Sequence, residues 1–324
     1  HRDLHSFPTR RSSDLLSIES TAALPGWDTG GSYAVWRDAA LAVQNAIGDA
    51  DVATMLGTGN FNDGACIGFD TAAGNRTYAA DLTNTAAGAL GVYKVSPNTL
   101  NLNGTNSYDG NTYLAGGILS VNNSRALGST NGYTVVYRTG GTSPLYTDAT
   151  GQLLLNGTSE NLVIDENFYI SGAEQYGYGG AMRNTAGNNT LNGWIKIFGS
   201  SARIGVNGGN LTLNGLIERA DASTSPMLVL NPGTGLLITS NRVDLGTGSI
   251  NFHSGGTVWL CATGNVWTGY EQIQYGCTVR LGVDDALPTG MKLTLGNSTP
   301  GNGRFDLYGY AQTVGGLLVG RAHV

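Results

Sequence analysis

Hydrophobic residues in this chain alternate with polar ones over short distances, and each alternating stretch ends on glycine or asparagine. TLNLNG (residues 99–104), QLLLNG (152–157), NLTLNG (210–215), MLVLNPG (227–233), TVRLG (278–282) and KLTLG (292–296) share this form. A period of two places apolar side chains on one face of an extended strand and polar ones on the other. Gly and Asn then supply the φ > 0 backbone that a sharp turn demands. The pattern predicts an all-β protein of many short strands. One short helix is expected over residues 49–56, capped by Asp49 and lying across the strands.

Spacing adds a second constraint. Leu228 to Ile250 is 22 residues, Leu236 to Val258 is again 22, and Val258 to Val279 is 21. Two strand positions that recur together at one interval predict a coil of roughly 20–22 residues per circuit, each strand ~4.8 Å above its counterpart in the circuit before. Leu228, Leu230, Ile250, Phe252, Val258 and Leu260 would then stack in columns inside a right-handed parallel β-helix. A single circuit cannot bury its apolar face, so only the stack is stable. An antiparallel meander would instead give matched hairpins every 8–12 residues, and the longer recurrence is less natural there.

Composition agrees with strands and turns: 50 of 324 residues are Gly, 40% are hydrophobic and only 12% are charged. That hydrophobic content is too high for disorder. Residues 1–15, HRDLHSFPTRRSSDL, read as one frame of a sequencing-adapter oligonucleotide and as an artefact rather than native sequence. No apolar stretch or small-residue cleavage site follows them, as a signal peptide would require. Taking Arg2, Arg10, Arg11, Asp3 and Asp14 from the 17 basic and 23 acidic residues leaves 14 and 21, a net charge of −7. A mildly acidic chain without a basic stripe does not suit nucleic acid. No run of 18 apolar residues predicts a membrane span. Cys66, Cys261 and Cys277 have neither zinc-site nor disulfide-framework spacing. No linker divides the chain, so residues 16–324 read as one domain, expected to be truncated at both ends.

At residues 99–128 the pattern becomes specific. TLNLNGTNSYDGNTYLAGGILSVNNSRALG resembles the autotransporter-associated β-strand repeat, roughly L-T-L-x-G-x-N-T-Y-x-G, a spacer, G-G-T-L-x-V, then A-L-G. Leu100, Leu102, Gly104, Asn106, Tyr108, Gly110, Gly116, Gly117, Leu119, Val121, Ala126, Leu127 and Gly128 fall in place. A second copy at 257–290 keeps Asn265, Gly269, Gly276, Val279, Leu281, Ala286 and Leu287. It has Trp267 where Tyr is usual and small insertions on both sides of Gly269. Residues 291–317 are similar to a recurrent β-arch element ending D-L-N-G-F-x-Q-T-V-G-G-L, through Phe305, Asp306, Leu307, Gly309, Tyr310, Gln312, Thr313, Val314, Gly315 and Gly316. Residues 35–94 also resemble sequence that often precedes such repeats. The resemblance implies a β-helical passenger of a Gram-negative-type bacterium, secreted and displayed outside the outer membrane as a stalk or adhesin. An anchor would lie in a missing C-terminal part, and glycans or surface proteins would be the partners.

Candidate chemistry is sparse. Polysaccharide lyases and hydrolases also use this fold, with clustered carboxylates on one outer face, so a carbohydrate-active enzyme or a polysaccharide-binding module is the alternative. Asp284-Asp285 is the best carboxylate pair. It aligns with Ser124-Arg125 in the first copy, which points to a turn. Asp165-Glu166 reads as a solvated strand end, and Glu218, Arg219 and Asp221 as surface groups able to pair with one another. Outside the adapter-like stretch only His253 and His323 exist, too few for a His-dependent triad. The glycine stretches at 177–180 and 206–210 lack dinucleotide-loop spacing. No catalytic residue, cofactor or metal is expected, and the chain is read as a non-enzyme. The aromatics Trp259, Trp267 and Tyr270 are the candidate glycan contacts, Trp259 through its outward parity between Val258 and Leu260.

Overall fold

The computed structural model describes residues 15–137, 151–172, 180–296 and 302–320. Its strands form a β-solenoid of about 12 turns, with every pairing between named strands parallel. A 21-stranded sheet and a 7-stranded sheet wrap the coil. The larger sheet follows two faces, because the strand Ile195–Val206 passes from one to the other. Its Ile195 pairs with Phe168 and Ile217, while its Ile204 pairs with Met182 and Leu230. Each circuit therefore has up to three sides, and the antiparallel meander is excluded. The artefact reading of residues 1–14 lies outside the described residues; Leu15 begins the strand Leu15–Ile18, paired with Ala40–Val43.

The alternation produces the core. On the second face Leu119, Leu153, Met182, Ile204, Leu230, Phe252 and Ile273 follow one another circuit by circuit in register. Each is fully buried. The six residues expected inside, Leu228 through Leu260, are all buried at 0% exposure. Burying a Leu-sized side chain is worth ~1.5–3 kcal/mol, and each column member touches equivalents above and below, so the stability is shared along the stack.

Two details of spacing differ from expectation. Val258 pairs with Leu237 rather than Leu236, because a bulge between Gly233 and Leu236 absorbs one residue. Leu237 is buried and Leu236 is not. Circuit length also varies more than 20–22: Val92 to Thr112 is a step of 20, Leu41 to Ile67 one of 26 and Phe168 to Ile195 one of 27. The extra residues go into corners. In the circuit after Ala40–Val43 they build the helix Asp49–Gly57, whose Val52 and Met55 are fully buried in the same core as the strands. Its N-cap is Gly48, whose N–H donates to Asp51 at 3.2 Å, and not Asp49 as the sequence suggested. Asp49 instead reaches the next circuit, accepting the Ala79 N–H at 3.0 Å and pairing with the buried Arg76.

That use of Asx side chains is general. Oδ1 of Asn75, Asp81, Asn111, Asn161 and Asn167 accepts the N–H of Thr99, Thr105, Tyr133, Asn188 and Trp194 respectively, each one circuit later. Corner amides that no ladder can pair are thus satisfied from the neighbouring coil.

The two repeat copies are equivalent in detail. Asn106 accepts the Leu82 N–H at 2.8 Å and donates to Ala126 O at 2.6 Å. Asn265 accepts the Val243 N–H at 2.7 Å and donates to Ala286 O at 2.6 Å. One buried amide therefore ties three successive circuits. Asn265→Ala should strand a buried donor and a buried acceptor and cost ~2–4 kcal/mol, read as a lower midpoint in urea unfolding, whereas Asn241→Ala on an exposed corner should change it little.

Candidate functional site

The structure separates the three aromatics. Trp259 stands on the outer face of the strand Gly255–Leu260 as its parity requires, and its Nε1 donates to Leu281 O at 3.1 Å. Next in its column are Arg280 and Asp306. Arg280 binds Asp306 through Nε and Nη2, both at 3.0 Å, and lies 4.3 Å from the centre of the Tyr308 ring. Tyr308 meets Trp259 edge to face at 6.0 Å and is 57% exposed. The Arg280 guanidinium holds the Asp306 carboxyl below its ordinary range. Tyr270 lies on another side of the coil, before the strand Glu271–Gln274, half exposed and hydrogen-bonded to Met227 Sδ.

Trp267 is withdrawn from the contact set. Its ring is fully buried and its Nε1 donates to Glu271 Oε2 at 2.9 Å inside the coil. The position matches Tyr108 of the first copy, whose hydroxyl bonds Thr112 Oγ1 at 2.6 Å, also buried. Both motifs place an inward aromatic and a polar partner four residues later. Arg280 and Tyr308 were missed by sequence reasoning. The signal available for Arg280 was its outward parity beside Trp259, which shows only once register is known, whereas Tyr308 stands in the turn after the strand Arg304–Asp306 and has no parity to read.

The carboxylates divide into corner groups and interior groups. Asp284 accepts the Ala311 N–H and Asp285 the Thr313 N–H, each at 2.7 Å, so the pair fastens the β-arch of the next circuit. In the aligned first copy Ser124 Oγ accepts the Val163 N–H at 3.0 Å, the same role with a hydroxyl. Glu218, Arg219 and Asp221 do not pair with one another. Glu218 meets Lys196 at 3.3 Å, Arg219 donates to Ala222 O and Thr224 O, and Asp221 accepts from Ser223. Asp165 is exposed and accepts from Asn192, as a strand end should.

Glu166 departs from that reading. It is 4% exposed, accepts from Thr134 Oγ1 at 3.3 Å, and burial pushes its carboxyl up to about 8. Glu271 is 1% exposed, between Ile250 and Leu293 in an otherwise aliphatic column, and burial raises it to about 7. Its Oε1 has no partner. Neither carboxyl faces an outer groove. Lys94 is likewise interior, between Phe69 and Leu114, with Nζ donating to Val95 O, Ser96 O and Gly116 O at 2.6–2.9 Å. Burial lowers it to about 7, while the three carbonyls favour the ammonium form.

Cys66 and Cys277 are buried with thiols pushed up to about 12, and Cys261 is half-buried; all three are free. Among the described residues no group of three or more His, Cys, Asp or Glu side chains is placed to hold a metal ion, and no described helix is long and apolar enough to cross a membrane. His323 and residues 177–179 lie outside the described residues. Comparison of the chain with protein-family models, with curated proteins and with solved structures gives no match.

Proposed function

We propose that this chain is a passenger segment of an autotransporter-like bacterial protein, carried outside the cell as a rigid spacer with an adhesive surface, and that it is not an enzyme. The observation that carries the reading is the use of the corner groups. Asp49, Asp81, Asp284 and Asp285 all accept backbone N–H groups of the following circuit, so the carboxylates most available for chemistry are engaged in joining coils. A rod joined in this way resists bending and can be extended circuit by circuit. The equivalence of Asn106 and Asn265 supports the repeat relationship on which the family resemblance rests. The exposed Tyr308 and the half-buried Trp259 beside it supply apolar faces suited to pyranose rings.

The test is display. Residues 16–324, placed between a signal peptide and an outer-membrane β-barrel in a Gram-negative host, should appear at the cell surface as protease-resistant, antibody-accessible protein. Degradation in the periplasm would contradict the reading. So would release of reducing or unsaturated sugar ends from a panel of plant and bacterial polysaccharides by the purified chain, which would favour a carbohydrate-active enzyme. A linked expectation is that Asp284→Ala with Asp285→Ala lowers the melting temperature by several degrees, since two corner N–H groups lose their acceptors; differential scanning calorimetry reads this directly.

A further inference from the structure

Three cationic side chains are buried among the described residues: Arg76, Lys94 and Arg203. Two are fully answered. Arg76 donates to Gln44 O and Ile47 O and meets Asp49, and Lys94 holds three carbonyls. Arg203 differs. It is 6% exposed, its Nε is buried without an acceptor, and no described carboxylate pairs with it. A guanidinium keeps its charge at any pH a protein meets. The Nε donor has lost water without gaining an acceptor, which a partner reaching the guanidinium from outside would relieve.

The surroundings are those of an anion site. Arg203 and Gly205 point outward from the strand Ile195–Val206, since Ala202, Ile204 and Val206 point in. Gly205 pairs with Arg183 in the circuit before and with Asn231 in the circuit after. His253 follows Phe252, which pairs with Leu230, and so stands one circuit beyond Asn231. A Cβ at Gly205 would meet Arg183 Cγ at 3.4 Å, Asn231 O at 3.7 Å and Met182 O at 4.0 Å, all ordinary contacts. Most glycines of this coil have backbone within 3 Å at that place, so Gly205, though itself buried, leaves more room than they do beside the arginine stem and the asparagine. His253 is half-buried, its Nδ1 engaged by Ser254 Oγ and its ring against Tyr275 at 4.3 Å. Burial and the neighbouring Arg203 charge pull it down to about 4, which keeps the imidazole neutral at pH 7. A negative group beside Arg203 would reverse the second of those causes.

We propose that Arg203, with His253 and Asn231 on the same outer face beside Gly205, binds an oxyanion carried by an acidic polysaccharide, a uronate carboxylate or a sulfate ester. Arg203 supplies the fork of donors that matches either group, and the neutral His253 and the Asn231 amide add donors from the next two circuits. The site lies on the outer face of the rod and does not depend on where the rod is anchored.

The test follows His253 by proton–carbon NMR of its ring, assigned with His253→Asn, while galacturonate oligomers, dextran sulfate or neutral dextran is added to the whole chain. The expected result is saturable binding of at least one acidic polymer, none of neutral dextran, and a His253 titration midpoint raised by one unit or more. The two acidic arms tell carboxylate from sulfate. Arg203→Gln should weaken binding at least tenfold, and Arg203→Lys, which keeps the charge without the fork, should fall between. Should Arg203→Gln not fold, Arg203→Lys and the wild-type His253 shift decide alone. An unmoved His253 with both polymers, equal binding of neutral dextran, or unchanged affinity in the folded Arg203 variants overturns the proposal.

Discussion

Leu230→Asp should abolish cooperative folding of the rod around its middle, whereas Thr212→Asp should leave it folded. Leu230 lies in the inner column between Ile204 and Phe252 and is fully buried. Thr212 sits on a neighbouring strand, facing out between the buried Leu211 and Leu213. Truncating a buried Leu costs ~2–5 kcal/mol, and a carboxylate adds the penalty of burying a charge with no partner. The column has no alternative partner to offer, because Ile204 and Phe252 are themselves held in register by the circuits beyond them. Circular dichroism and limited proteolysis separate the outcomes: cleavage near residue 230 at temperatures where wild type is resistant, against an unchanged pattern for Thr212→Asp.

The second large effect is pH dependence of opposite sign to ordinary acid denaturation. Glu271 is raised from 4.5 to about 7 and Glu166 from 4.5 to about 8, both by burial. A carboxyl with a raised folded pKa binds its proton more tightly folded than unfolded, so unfolding releases protons above pH 4.5. Its contribution is complete below the unfolded pKa and is lost as pH rises through the folded one. For Glu271 the window is 4.5 to 7, and the loss is on the order of 3 kcal/mol. Lys94, lowered by burial from 10.5 to about 7, acts oppositely above pH 7, so the clean measurement is a difference. Urea midpoints of wild type and Glu271→Gln, taken from pH 4 to 8, should diverge as pH rises, with the Gln variant the more stable at pH 8. The Gln oxygen still accepts the Trp267 indole N–H. Parallel pH profiles for the two proteins would show that Glu271 is ionised at little cost.

The alternating stretches made strand positions and inward residues legible, because a period of two leaves only one choice of face once a single residue is known to be inside. The recurrence from Leu228 to Ile250 made the parallel coil legible for the same reason: it fixed which strand lies above which. Corners were harder to read. The bulge at Gly233 and the helix Asp49–Gly57 change the residue count per circuit without disturbing the columns, so spacing alone misplaced Leu236 by one. Burial of polar groups was not legible at all. Glu166 and Glu271 look in sequence like any carboxylate at a strand end, and Trp267 like any tryptophan between Val266 and Thr268. What turns them inward is the circuit they stand in, where Thr134 and the indole itself supply the partners. Arg203 was hidden in the same way, by neighbours 20 to 50 residues distant.

Parallel stacking of adjacent circuits is the claim on which the core, the corner bonds and the anion site all depend, and disulfide cross-linking tests it residue by residue. With Cys261 replaced by Ala, the pairs Asn210→Cys with Leu236→Cys and Thr212→Cys with Ile238→Cys are each directly opposed in the present register, at the Cα separation of ~5 Å that a disulfide accepts. Both should oxidise readily and raise the urea midpoint. Antiparallel strands brought together at 212 and 238 would oppose 210 to 240, so efficient cross-linking of Asn210→Cys with Ser240→Cys, and none of 210 with 236, would contradict the coil.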